Sequence, residues 1–134
     1  MKYLLGLMLL PLLLTPAFAE SVEDYEQIIP SENGTLNIGL TVDPPAKANE
    51  VSKLHIGWIK PGFNKIQEHI DYRITIAESG KTLFQTPNLV HTSEGIINGF
   101  KFEFPQDGLY NIQIDAEGIL FTPIPKESVT FDIL

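Results

Sequence analysis

From Leu36 onward, apolar and polar residues alternate with a period of two, the spacing of strands buried on one face. Leu36, Ile38, Leu40 and Val42 form the first such set. Asp43-Pro44-Pro45 ends it, because proline cannot donate to a ladder. Leu54, Ile56 and Trp58 predict a second strand that closes at Pro61-Gly62. Ile70, Tyr72, Ile74 and Ile76 give the clearest alternation, and Glu78-Ser79-Gly80-Lys81 predicts a hairpin turn returning through Leu83 and Phe84. A shorter strand is expected from Leu89 to Thr92. Phe100, Phe102 and Phe104 alternate next, a turn follows, and Tyr110, Ile112, Ile114 and Ala116 continue the series. Gly118 marks a bulge or a close backbone approach, and Val129, Phe131 and Ile133 form the last strand.

Seven or eight short strands at this spacing, with no convincing helical pattern, predict an all-β chain of antiparallel sheets packed as a sandwich. Within it, Phe104-Pro-Gln-Asp107-Gly108-Leu-Tyr110 has the Asp-x-Gly-x-Tyr form of a tyrosine corner, in which the phenol bonds back to nearby backbone in an immunoglobulin-like domain. Asp107, Gly108 and Tyr110 are therefore expected to be structural residues. The antibody-type cysteine pattern is absent, since Ile112 sits where the second cysteine would be. Trp58, Tyr72, Phe100, Phe102 and Phe104 are expected to fill the core. The domain is expected over residues 35–134, preceded by an acidic flexible arm at 20–34.

The first 19 residues change the setting. Lys2, a leucine-rich apolar run and Ala17-Phe18-Ala19 read as a cleavable signal peptide, so the product is expected outside the cytoplasm, secreted, in a periplasm-like space or at the cell surface. The run is short for a bilayer span and holds two prolines, and no second long apolar run follows, so no membrane anchor is expected after cleavage. Cleavage would leave 115 of the 134 residues, with 8 basic against 17 acidic side chains and a net charge near −9. That balance repels nucleic acid and anionic membrane surfaces. Asn33-Gly34-Thr35 is a glycosylation sequon as well as a turn dipeptide.

Absences narrow the chemistry further. The chain has no cysteine, and its two methionines, Met1 and Met8, lie in the expected signal peptide. Blue-copper sites, Met-rich Cu(I) carriers, cysteine nucleophiles and iron–sulfur clusters are thereby excluded from the mature chain. No Gly-x-Ser-x-Gly elbow, calcium loop or phosphate cradle is present, and a non-catalytic role is expected. Three histidines remain. With the even positions of the Ile70–Ile76 strand buried, His69, Asp71 and Arg73 share its outer face, where residues two apart lie roughly 7 Å from one another. His69, Asp71 and His91 are thus candidates for a His/His/carboxylate site for zinc or Cu(II). The plainer expectation pairs Asp71 with Arg73 and leaves both histidines as partly exposed sheet residues. Finally, the segment containing Ile119, Leu120, Phe121 and Ile124 is apolar and broken by Pro123 and Pro125. It is expected to fold inward as a cap, because exported monomers rarely tolerate such patches; exposed, it would be a docking surface for another protein.

The runs His69-Ile-Asp71-Tyr72, His91-Thr92-Ser93-Glu-Gly95, Gly108-Leu-Tyr110 and Gly118-Ile-Leu-Phe121-Thr-Pro123-Ile-Pro125 resemble small exported immunoglobulin-like proteins of ammonia-oxidising archaea, over roughly residues 50–134. The resemblance implies the fold and an extracytoplasmic setting. A more distant likeness is to periplasmic accessory domains of the FixH or YtkA type, which serve membrane oxidases and copper handling. A binding or accessory role, docking on a membrane or envelope protein, is expected of the chain. The absence of methionine and cysteine departs from soft-metal carriers.

Overall fold

The computed structural model describes residues 25–133; the expected signal peptide and residues 20–24 of the arm lie outside them. The described chain is all-β, without a helix, and carries ten strands in two antiparallel five-stranded sheets, an arrangement consistent with a β-sandwich. The first sheet holds β1 (Gln27–Pro30), β2 (Asn37–Asp43), β3 (Glu50–Lys60), the short β4 (Lys65–Ile66) and β8 (Ile96–Phe104), with β8 paired to β3. The second holds β5 (Ile70–Glu78), β6 (Lys81–Gln85), β7 (Val90–Thr92), β9 (Tyr110–Ile119) and β10 (Thr122–Ile133), in the order β10-β9-β5-β6, with β7 also paired to β5.

The inward sets read from the alternation form one core. Ile38, Leu40, Leu54, Ile56 and Trp58 from the first sheet pack with Ile70, Ile74, Ile76, Ile112, Ile114 and Phe131 from the second. Burial of each such side chain contributes roughly 1.5–3 kcal/mol relative to exposure. Phe104 is buried as expected and meets Tyr110 edge-on at 4.7 Å, but Phe100 and Phe102 are only half-buried. The reason lies in the sheet order: β8 pairs only with β3, and as an edge strand it is covered on its inner face only in part.

The Tyr110 hydroxyl donates to the Gln106 carbonyl and accepts from the Gln106 amide at 3.1 Å. This is the contact the Asp-x-Gly-x-Tyr run leads one to expect. Asp107 accepts from the Ala48 amide at 2.9 Å, which ties the β2–β3 loop to the same turn.

The flexible arm expected at 20–34 is folded from residue 25 onward. Its Gln-Ile-Ile-Pro stretch is β1, antiparallel to β2. Gly39 and Gly57 are cross-strand partners on the outer face, and the Tyr25 ring lies against them so closely that a Cβ on Gly57 would fall 2.2 Å from the Tyr25 hydroxyl. The following loop is anchored to the other sheet. Buried Glu127 of β10 accepts from Ser31 Oγ at 2.6 Å, from the Thr35 hydroxyl and from the Asn33 amide at 3.2 Å. Burial alone would raise the Glu127 carboxyl. The hydrogen bonds from Ser31, Thr35 and the Asn33 and Thr35 backbone outweigh it and hold the group below its ordinary value. Asn33 itself is exposed in this loop.

Candidate functional site

Asp71, His91 and Gly118 occupy one row across the second sheet, because Asp71 pairs with His91 on β7 and with Gly118 on β9. Pro123 of β10 continues the row beyond Gly118. A bulge on β9 lies beside it, since Asp71 opposes Gly118 while Tyr72 opposes Ala116. Gly118 thus marks both a bulge and a close approach: a Cβ there would fall 2.2 Å from Asp71 Oδ2. The bare glycine gives the carboxylate room to lie flat on the sheet.

From that position Asp71 Oδ1 is 2.8 Å from His91 Nδ1, and His91 Nε2 is 3.2 Å from His69 Nδ1. The expected Asp71–Arg73 pair does not form. Arg73 bonds Glu117 at 3.0 Å instead, because the β9 bulge places that glutamate beside it. The three sequence candidates are brought together as a hydrogen-bonded line. They do not converge on a point, since Asp71 meets the opposite ring nitrogen of His91 from the one facing His69. Among the described residues, no three His, Cys, Asp or Glu side chains form a group suited to a metal ion. His55 lies elsewhere, on β3, with its Nδ1 at 3.5 Å from Asn98.

His69 has a left-handed backbone, φ 58°. Its amide donates to the Ser93 carbonyl at 3.1 Å and its carbonyl accepts from the Leu120 amide at 2.8 Å, so the residue is pinned between two loops. The second of these is the β9–β10 turn. Ile119 and Thr122 are cross-strand partners, which leaves Leu120 and Phe121 as a two-residue turn with φ 51° and 65°. Positive φ at both central positions is the requirement of a type I′ turn, usually met by Asn-Gly. The β5–β6 turn at the opposite end of the sheet has the same form with Ser79-Gly80, φ 50° and 82°. One hairpin obeys turn chemistry and the other does not.

The Leu-Phe turn is also exposed. Leu120 is 55% and Phe121 70% accessible, whereas Ile119 and Ile124 pack partly against the core. The inward cap expected of this segment is therefore not formed at its tip. Phe121 instead covers the two imidazoles, with ring centroids 4.4 Å from His69 and 5.1 Å from His91, nearly parallel to the latter at 17°. Local sequence gives no signal for this hairpin, because Pro123 argues against a strand. The edge position of β10 admits the proline.

Compared with known protein families, curated proteins and solved structures, the chain matches none.

Proposed function

We propose that this protein is an exported, non-catalytic binding module of the immunoglobulin-like kind, docking on a protein of the membrane or cell envelope through its β9–β10 turn. The Tyr110–Gln106 contact and the two packed antiparallel sheets support the immunoglobulin-like reading. The observation that carries the docking reading is the turn itself. Two large apolar residues stand in solvent on a left-handed backbone that costs each of them about 1 kcal/mol or more. Asn-Gly would make the same hairpin without strain or exposed apolar area. Departures from local rules that a fold does not need concentrate at functional positions. An aromatic anchor held rigid by its neighbours is also the kind of residue that dominates binding energy at an interface.

A photo-crosslinking side chain at Thr122, beside the turn, should capture a defined envelope or membrane protein from native membranes. The same group at Ser79, in the hairpin turn at the other end of the sheet, should not. Equal capture from both positions would refute a dedicated surface.

A further inference from the structure

We infer that His69 and His91 form a two-nitrogen clamp for a borderline transition-metal cation, Cu(II) before Zn(II), with Asp71 as the positioning residue. Asp71 holds His91 Nδ1 at 2.8 Å, which makes that nitrogen the proton-bearing one and leaves Nε2 as a lone-pair donor. Metal-bound histidines show this support, the second ring nitrogen donating to a carboxylate that fixes tautomer and orientation.

His91 Nε2 lies 3.2 Å from His69 Nδ1. Two nitrogens at ~2.0–2.1 Å from one ion lie roughly 2.9 Å apart at neighbouring corners of a tetragonal site and roughly 3.3 Å apart around a tetrahedral one. The observed spacing falls between these and nearer the tetrahedral value, so a turn of the two rings that aims both lone pairs at a common point lets an ion take the place of the proton they share. That proton then moves to the Nε2 of His69, and both rings remain neutral.

The surroundings favour the clamp. Phe121 covers faces of both rings, whereas coordination uses their edges. The His69 backbone is fixed by hydrogen bonds to Ser93 and Leu120, and its ring rests against Phe121, so the side chain loses little freedom on binding. Water fills the remaining coordination positions. The preference for Cu(II) over Zn(II) follows the usual affinity order for nitrogen sites.

The test is titration of the purified protein with Cu(II) and, separately, with Zn(II). The expected result is one Cu(II) per chain, an electron paramagnetic resonance spectrum with two imidazole nitrogens, and weaker Zn(II) binding. His91→Gln and His69→Asn, the latter chosen because Asn tolerates a left-handed backbone, should each lower Cu(II) affinity at least tenfold. Asp71→Asn should lower it 10–100-fold. Because the variants can disturb the fold, imidazole nitrogen resonances of the unaltered protein are followed during Zn(II) titration; those of His69 and His91 should move together while His55 stays fixed. Undiminished Cu(II) uptake by His69→Asn/His91→Gln, or movement of His55 alone, would overturn the site. Full affinity in Asp71→Asn would remove the positioning role.

Discussion

Asp71 and His91 face one another across β5 and β7 as register partners, joined by a 2.8 Å contact from Oδ1 to Nδ1. The contact depends on a third strand, because the Asp71 carboxylate lies over the space left by Gly118. Gly118→Ala should push Asp71 off its place, separate it from His91 and cost about 1–3 kcal/mol through overpacking. The His91 ring proton resonance, followed by NMR beside the denaturation midpoint, checks both effects. An unshifted resonance would mean that Asp71 does not need the glycine.

The strain in the β9–β10 turn has a measurable counterpart. Leu120 is largely exposed and left-handed, so Leu120→Asn should raise stability by about 0.5–1 kcal/mol, since Asn adopts that backbone readily. Chemical denaturation reads this directly. A clear loss of stability would show that the Leu120 side chain supports the fold, and would remove the case for strain kept for function.

Tyr110 closes its own turn by bonding both backbone groups of Gln106. Tyr110→Phe keeps the buried ring and removes only the hydroxyl, so it should cost on the order of 1 kcal/mol. An unchanged denaturation midpoint would contradict the structural role given to the hydroxyl.

Glu127 gives the fold an acid-sensitive clasp between its two sheets. Its folded value is held below the ordinary one, so its contribution is fully present above the usual carboxylate range and is lost as pH falls through the depressed folded value. Glu127→Gln should therefore lower stability at neutral pH by about 2 kcal/mol and flatten the decline on acidification. Unfolding free energies measured from neutral to acidic pH would test this. Parallel acid limbs for the two proteins would rule out Glu127 as their source.

Much of this structure was legible from side-chain alternation. The inward sets on β3, β5 and β9 are those the period of two marks, because central strands are buried on one face throughout. Edges were harder to read. β1 is four residues long, too short for a period to show, and it is secured by Tyr25 on two glycines and by Glu127 from the other sheet. On β8, alternation marked Phe100 and Phe102 as core, yet their depth is set by the lack of a neighbour beyond β8. The outward placement of Asp71 followed from parity. Its choice of His91 over Arg73 follows from cross-strand register, which no local pattern encodes. The Leu120–Phe121 hairpin was hidden because neither residue carries turn chemistry.

The docking reading is tested most directly by sedimenting native membranes with the purified protein and with Leu120→Asn/Phe121→Asn, whose substitutions suit the left-handed turn and leave the hairpin able to form. The unaltered protein should bind saturably and the double variant at least tenfold more weakly, with both showing the same β-rich circular dichroism. Equal binding by the two proteins would contradict the docking reading.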